Sequence, residues 1–324
     1  MRLPEAQILL SVFNGQKFLA AQLRSIETQS VKNWICYIRD DSSSDSSFQL
    51  IQEFCNRDSR FVLVQDSLGN LGGIHSFEAL LNACQFPSPI FFCDQDDIWL
   101  EDKLKIILKI ASAQEQALWA ISSDLILIDE NSRLISASFH KHLGYQARNL
   151  TLPQLLAQNI FPGCSLCFSA KLKEIALPFP RGIPMHDWWI MLFAAALGQV
   201  VFIPQPLVAY RQHSEQFSGG AGESSLTRKF KRAFGKSKRN LFNTLFERFL
   251  LWKLFLIRTE KIGFQSPFLK SLSNLLVKKS SASAVFNILS LKIKMQGFLR
   301  QVLFVCGIFL YWKYFQKKLA ELNT

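Results

Sequence analysis

The sequence predicts an α/β fold with a doubly wound, mostly parallel sheet, followed by a basic helical extension. Short apolar runs alternate with amphipathic segments over residues 1–220. Several of those apolar runs are followed directly by polar residues, and from residue 226 onward the pattern is helical alone. Alternation of strand and helix is typical of parallel sheets whose helices cover both faces. We therefore divide the chain into an α/β domain at 1–220 and a helical region at 221–324.

The runs that predict strands are short, rich in β-branched or aromatic residues, and bounded by turn-forming or polar residues. They are 8–13, 34–38, 61–64, 90–93, 119–128 and 200–203. The segments that predict helices carry apolar residues three and four positions apart. They are 16–30, 47–54, 76–84, 103–114, 150–159 and 187–197.

Three predicted strands end in conspicuous polar residues. These are Asn14-Gly15, Asp40-Asp41 and the run Asp94-Gln95-Asp96-Asp97. Open parallel sheets bind their ligands beyond the carboxyl ends of the strands. We therefore expect the three segments to line one crevice, although they are far apart in the sequence.

The acidic run in FFCDQDDIWLEDK (91–103) follows a buried strand. Carboxylates one residue apart in a loop can share a hard divalent cation such as Mg²⁺ or Mn²⁺. A solvated acidic loop, or aspartates placed at a helix N-terminus, is the alternative interpretation.

Positive charge is concentrated in the last third of the chain. Residues 1–220 carry a net charge of −4 and residues 221–324 a net charge of +16. The basic residues are interleaved with Phe, Leu and Trp, as in FERFLLWKLFLIR (246–258). Such a segment fits an anionic membrane surface. A helical domain with a basic exposed face is the alternative, and nucleic acid is not predicted as a partner.

The sequence predicts a cytoplasmic protein. The seven cysteines are odd in number and scattered, and they form no recognisable disulfide framework. Cys164 and Cys167 form a lone CxxC, which we interpret as two small buried residues. The start of the chain lacks the apolar core of a signal peptide, and the run 302–312 has about half of the roughly 20 residues that span a bilayer.

The first 220 residues resemble glycosyltransferase family 2, and in particular its bacterial rhamnosyltransferase-like members. The matching segments, in family order, are VFNGQKFLAAQLRSIETQS (12–30), RDDSSSDSS (39–47), NLGGIHSF (70–77), FCDQDDIWLEDKL (92–104), HDWW (186–189) and YRQH (210–213). The resemblance implies the GT-A fold of nucleotide-diphospho-sugar transferases. Gln16, Ser43 and His75 depart from the residues common in that family.

The resemblance also implies how a nucleotide-sugar is held. The backbone of Phe13 and Asn14, together with the Asp41 side chain, is expected to bind the base. Asn70 and Gly72 belong to the turn near the phosphates, and a glycine there allows the backbone to approach a phosphate. Arg211 is expected near the pyrophosphate.

For catalysis, the resemblance implies a Mg²⁺ or Mn²⁺ ion held by Asp96, with His213 as a further ligand and Asp97 in support. Asp94 is expected to face the ribose and the metal. Asp187 is implied as the general base that deprotonates an acceptor hydroxyl. A helix N-terminal role is the alternative for Asp187, because a predicted helix begins at this residue.

These assignments predict an inverting, metal-dependent glycosyltransferase. The expected reaction transfers a sugar, rhamnose from dTDP-rhamnose, to a glycan or lipid-linked glycan acceptor of bacterial surface polysaccharide. The expected location is the cytoplasmic face of the plasma membrane. Another hexosyltransferase using a UDP- or GDP-sugar is the first alternative. A catalytically silent membrane-associated scaffold is the second, but a silent copy would be expected to lose its costly cluster of carboxylates.

Overall fold

A computed structural model describes residues 3–213, 237–278 and 280–321 of the protein. Within those residues the chain forms a nine-stranded sheet. The strands are β1 (Ala6–Val12), β2 (Trp34–Asp40), β3 (Phe61–Leu63), β4 (Ile90–Cys93), β5 (Ile98–Trp99), β6 (Trp119–Asp129), β7 (Leu134–Ser136), β8 (Leu166–Phe168) and β9 (Gln199–Gln212).

Helices cover the sheet and make up the described part of the C-terminal region. The helices of the α/β part are α1 (Leu19–Glu27), α2 (Ser47–Arg57), α3 (Gly72–Ala83), α4 (Lys103–Ala111), α5 (Phe139–Leu143), α6 (Leu152–Ala157), α7 (Ala170–Ala176) and α8 (His186–Leu197). The C-terminal helices are α9 (Ser237–Lys261), α10 (Pro267–Leu276), α11 (Ser281–Ser290) and α12 (Phe298–Glu321). A short 3₁₀ turn at Gly163–Ser165 precedes β8.

The strand order is β3-β2-β1-β4-β8-β6-β9-β5, with β7 paired to β6. β1 pairs in parallel with β2 and β4, β2 with β3, and β6 with β9. β8 lies antiparallel between β4 and β6, so all the strands predicted from the sequence run in one direction. The fold class is confirmed. β5, β7 and β8 were not predicted. They are short and all their pairings are antiparallel, so the alternation of strand and helix that predicts parallel strands does not reveal them.

The last strand is longer than predicted. The predicted strand ends at residue 203. Pro204 and Pro206 follow it, and proline cannot donate a hydrogen bond to a sheet. In the structure β9 continues to Gln212, and its register against β6 shifts on both sides of Asp124, which lies opposite Pro206. The irregularity accommodates the prolines, and the extended strand carries Arg211 to the edge where the acidic run lies.

The carboxyl ends of β1, β2 and β4 meet as predicted. The Phe13 backbone N–H donates to Gln95 Oε1 at 2.8 Å, and Gln95 Nε2 donates back to the Phe13 carbonyl at 3.0 Å. The Asn14 backbone N–H donates to Ser43 Oγ at 2.9 Å. The three polar strand ends therefore form one continuous edge.

The described C-terminal helices share a hydrophobic core with the α/β part. Phe249, Trp252 and Phe255 of α9 are fully buried in the cluster that also contains residues of α6 and α8. Trp252 Nε1 donates to the Leu156 carbonyl at 2.9 Å, and Arg248 Nε donates to the Ala157 carbonyl at 2.8 Å. The predicted division at residue 220 lies outside the described residues.

Among the described residues, no helix combines the length and the hydrophobicity needed to cross a membrane. The run 302–312 belongs to α12, and Phe304, Ile308 and Trp312 from this run are buried against neighbouring helices.

Candidate active site

The acidic run crowds three carboxylates at the end of β4. Asp94 and Asp96 are partly buried, and Asp97 is fully buried. Burial, together with the neighbouring Asp96 and Asp187 charges, raises the pKa of Asp94 to about 7. Burial also raises the pKa of Asp97, as do the Asp96 and Asp94 charges. Carboxylates in such surroundings are costly to ionise unless a cation compensates them.

The structure brings two of the predicted metal ligands together. His213 Nε2 lies 2.7 Å from Asp96 Oδ2. Asp94 is close enough to this pair for the Asp96 charge to raise its pKa. Imidazole nitrogen and carboxylate oxygen suit Mn²⁺, and the carboxylates suit Mg²⁺. Asp96 and His213 could therefore hold either ion between them. Asp94 does not complete a three-residue group with them, because its ligand atom groups within 4.8 Å with those of Asp97 and Cys164 instead.

A second grouping lies behind the first. Single ligand atoms from Asp94, Asp97 and Cys164 fall within 4.8 Å of one another. Burial raises the pKa of the Cys164 thiol, and the Asp97 and Asp94 charges raise it further, so the sulfur is neutral. A neutral thiol is a poor ligand for a hard cation. Cys164 and Cys167 are buried and unpaired, as the sequence predicted.

A buried lysine that the sequence analysis did not assign lies behind the carboxylates. Lys103 Nζ donates to the Cys164 carbonyl at 2.6 Å and lies 3.6 Å from the centre of the Trp99 ring. Burial lowers the pKa of Lys103 to about 8. Its charge lowers the pKa of Asp94, so it partly offsets the acidic run. The sequence could have indicated that Lys103 is buried, because its spacing places it on the same face of α4 as Ile107 and Ala111.

We expect Lys103→Met to lower the free energy of unfolding by about 3 kcal/mol, because it leaves the buried carboxylates without their compensating charge. Urea unfolding followed by tryptophan fluorescence measures the change. Lys105→Met is the matched control. Lys105 lies on the same helix, but its side chain is exposed and its ion pair with Asp102 is 3.5 Å long. This control should change stability by less than about 0.5 kcal/mol. Equal effects of the two variants would contradict the assignment.

Asp187 lies in the first turn of α8, facing the acidic run. The residue is 2% exposed, and its Oδ1 accepts from Asn159 Nδ2 at 3.2 Å and from the Trp188 backbone N–H at 2.5 Å. Burial raises the pKa of Asp187 to about 7, while these hydrogen bonds act in the opposite direction. The helix-terminal bond and a catalytic role are compatible. A carboxylate with a pKa near neutrality is suited to accept a proton.

His186 packs beside this carboxylate. Its ring stacks on Phe77 at 4.1 Å between centroids and meets the edge of Phe92 at 4.7 Å. Burial lowers the pKa of His186 to about 3, so the imidazole is neutral. The structure therefore shows His186 in the aromatic core beneath Asp187.

The residues predicted to bind the base lie at the mouth of the crevice. Phe13 is about half exposed, and its ring is free to stack on a planar ligand. Asn14 has a φ of 49°, and its Oδ1 accepts from the Ser44 backbone N–H at 2.8 Å. Their backbone groups are bonded to Gln95 and Ser43, so the loops after β1, β2 and β4 hold one another in place.

Asp41 is turned toward the predicted phosphate turn. Its carboxylate accepts from the Leu71 N–H at 2.7 Å and from the Gly72 N–H at 2.8 Å, and it is ion-paired with Arg39. Asn70 Nδ2 donates to the Asp41 carbonyl at 2.8 Å. Gly72 has a φ of 70°, a conformation that favours glycine. In this structure Asp41 fastens the turn to β2, and its contact with a base stays a prediction.

Arg39 is a second buried cation that the sequence analysis did not assign. Its guanidinium forms a bidentate pair with Asp66, at 2.8 and 3.1 Å, and donates to the Gly69 carbonyl at 2.7 Å. The sequence could have indicated this buried cation, because Arg39 is a basic residue within the mostly apolar run WICYIRD (34–40). Arg39 joins the loops that flank the turn.

Arg211 lies behind the predicted metal ligands. Its backbone N–H donates to Asp97 Oδ1 at 2.9 Å, and its Nε donates to the Asp96 carbonyl at 2.8 Å. The guanidinium also lies 4.6 Å from the centre of the Phe18 ring. Arg211 thereby holds the acidic run against β9. Its predicted contact with a pyrophosphate stays a prediction.

Comparisons with known proteins identify the family and the fold. The family model described as "Glycosyl transferase family 2" matches residues 7–176. The dTDP-rhamnosyl transferase RfbG of Shigella flexneri is 25% identical over 237 residues, which cover 69% of this chain and 77% of the relative. The UDP-Glc:alpha-D-GlcNAc-diphosphoundecaprenol beta-1,3-glucosyltransferase WfgD of Escherichia coli is 27% identical over 101 residues, covering 31% of this chain and 38% of the relative.

Two solved structures share the fold. Residues 1–349 of S. aureus TarS in complex with UDP superimpose with a TM-score of 0.58 at 13% identity, covering 99% of this chain and 92% of that one. The mannosyltransferase PcManGT from Pyrobaculum calidifontis, in complex with GDP-Man and Mn²⁺, gives a TM-score of 0.52 at 14% identity, covering 98% and 85%. The resemblance read from the motifs is confirmed. Because the family model spans more than half of the chain, the protein belongs to glycosyl transferase family 2.

Proposed function

We propose that the protein is an inverting glycosyltransferase that moves rhamnose from dTDP-rhamnose to a glycan or lipid-linked glycan of bacterial surface polysaccharide. The observation that carries the reaction type is the placement of Asp187, a carboxylate with a pKa of about 7, close to the Asp94–Asp97 run. The similarity to the dTDP-rhamnosyl transferase RfbG supports the choice of donor.

The mechanism requires one carboxylate to work as a base. Asp187 accepts the proton of an acceptor hydroxyl while that oxygen bonds to the anomeric carbon of the sugar. The bond from this carbon to the diphosphate oxygen breaks on the opposite face, so the configuration inverts. Asn159 positions Asp187 through its amide hydrogen bond.

The other carboxylates work on the departing diphosphate. Asp94, Asp96 and His213 are the residues that would hold Mg²⁺ or Mn²⁺. The cation supplies charge stabilisation to the leaving group when it is bound. Lys103 and Arg211 keep the acidic run in place from behind. In the bound state, Phe13, Asn14, Asp41, Asn70 and Gly72 are the residues that we expect nearest the nucleotide.

A UDP- or GDP-hexosyltransferase is the second candidate. The similarity to WfgD, whose name specifies UDP-glucose, favours it. The TarS and PcManGT folds, with UDP and GDP-Man bound, are compatible with it.

The proposed location is the cytoplasmic face of the plasma membrane, with an anionic lipid surface as a partner. The net charge of +16 on residues 221–324 supports this proposal. Nucleic acid is not a proposed partner.

Donor hydrolysis tests the proposal directly. The protein is incubated with dTDP-rhamnose, UDP-glucose or GDP-mannose, with and without Mn²⁺, and release of the nucleotide diphosphate is measured. We expect metal-dependent turnover that is fastest with dTDP-rhamnose. Faster turnover of another donor would replace rhamnose by that sugar. The absence of turnover with all three, in protein shown to be folded, would contradict the enzyme assignment.

A further inference from the structure

The outer faces of α11 and α12 form an exposed apolar surface, which we call the α11–α12 patch. Its largest members are Phe286 and Leu310, each 71% exposed, and Phe298, which is 87% exposed. Leu289 and Phe309 are also more than half exposed. Monomeric proteins rarely leave several large apolar side chains exposed together, and such surfaces mark interaction sites.

The two helices contribute to one continuous surface. A groove of about 300 Å³ between them is lined by Val285 of α11 and by Val305, Cys306, Phe309 and Leu310 of α12. Phe286 and Leu289 lie three residues apart on α11, so they share a face beside this groove. The opposite faces of both helices are already buried in the hydrophobic core, through residues such as Ile288 and Trp312.

Positive charge predominates along the segment that carries the patch. Residues 261–320 contain ten Lys and Arg and no Asp or Glu. Lys292 and Lys294 are exposed in the connection between the two helices. Lys313 and Lys317 are exposed on α12, on the part of its outer face that lies beyond Leu310. Large apolar side chains bordered by lysines are typical of helices that lie in the headgroup region of an anionic bilayer.

The same charges argue against a second copy of this chain as the occupant. A two-fold dimer would place the same patch on both subunits, and the lysines would then face one another. Like charges at short range raise the free energy of such an interface.

We propose that the α11–α12 patch docks the protein on an anionic lipid surface, with the apolar side chains entering the headgroup region and the lysines contacting lipid phosphates. The patch begins at Phe298, two residues after Gln296, whose backbone N–H donates to Gln158 Oε1 at 3.1 Å. The next residue, Asn159, holds Asp187. The Phe298 end of the patch is thus tied to the segment that holds Asp187, the base of the proposed function on which this link rests.

Vesicle co-sedimentation of the full-length chain tests the docking, and it requires neither donor nor acceptor. We expect the protein to partition onto phosphatidylcholine vesicles that contain phosphatidylglycerol, and to bind pure phosphatidylcholine at least about tenfold more weakly. Phe309→Ser combined with Leu310→Ser should weaken partitioning at least about tenfold. Lys292→Gln combined with Lys294→Gln should weaken it about 25-fold, or about fivefold for each charge.

Leu134→Ser combined with Ile135→Ser is the matched control. These residues are also adjacent, exposed and apolar, but they lie on β7. Circular dichroism and light scattering confirm the fold and mass of each variant.

The proposal is overturned if the unchanged protein does not bind anionic vesicles, or if the α12 variant binds them as tightly as the control does. Loss of self-association in the α12 variant, without any vesicle binding, would assign the patch to a second copy instead. Donor hydrolysis should be unaffected by the α12 substitutions, so a failure of docking is separable from a failure of the proposed function.

Discussion

Asp187→Asn is expected to lower the rate of sugar transfer by about 10²–10⁴-fold, the usual contribution of a general base. Asparagine keeps the shape and can still accept from Asn159 and Trp188, but it cannot take a proton. Nucleotide affinity should therefore stay within about twofold of the unchanged protein. Transfer is measured by release of the nucleotide diphosphate in the presence of acceptor, and affinity by calorimetry with dTDP. Loss of dTDP binding in this variant would indicate a structural role instead.

The pH dependence of the transfer rate also distinguishes a general-base role of Asp187 from a structural one. Burial raises the pKa of Asp187 from 3.8 to about 7, so the carboxylate is protonated and unable to act as a base at lower pH. We expect the rate of transfer to rise with pH through about 7. The residual rate of Asp187→Asn should lack this rise. An unchanged pH profile in the variant would assign the titration to another group.

The raised pKa of Asp187 also makes the free energy of unfolding depend on pH. The folded-state pKa lies above the unfolded value, so between about pH 4 and pH 7 the folded protein binds a proton that the unfolded chain has released. The free energy of unfolding therefore falls as the pH rises through this range. Asp94 contributes a slope of the same sign, since its pKa is also raised to about 7. Asp187→Asn should reduce the slope, because it removes one titrating carboxylate and also removes a charge that raises the pKa of Asp94.

Asp96→Asn is expected to weaken Mn²⁺ binding at least about 100-fold and to lower transfer with it. The substitution removes a charged ligand that lies 2.7 Å from His213. Mn²⁺ titration in the presence of dTDP, followed by calorimetry, measures the effect. His213→Gln should show a smaller loss, because the carboxylates remain.

Asp102→Asn is the control for the Asp96 substitution. Asp102 belongs to the same acidic segment, but it is exposed and bonded to Ser30 and Lys105. Its substitution should leave Mn²⁺ affinity unchanged. Equal Mn²⁺ affinities for the Asp96 variant and the unchanged protein would remove Asp96 from the metal site.

The sequence by itself determined the fold class, the direction of the main strands and the crevice. Each of these depends on local patterns, because a strand of four or more residues shows its apolar run and its polar end within one stretch of chain. Parallel strands then bring those ends to one edge. This is why the segments at Asn14, Asp41 and Asp94 could be placed together before any contact was known.

Only the tertiary structure decided which side chains support that crevice. Lys103, Arg39, Gln95 and Asn159 act through partners far away in the sequence, such as Phe13, which is 82 positions from Gln95. Burial then set the pKa of Asp94 and of Asp187, which the residue types alone leave near 4. The tertiary structure also divided the C-terminal helices into a face buried in the hydrophobic core and an exposed face, since periodicity identifies an apolar stripe without identifying what covers it.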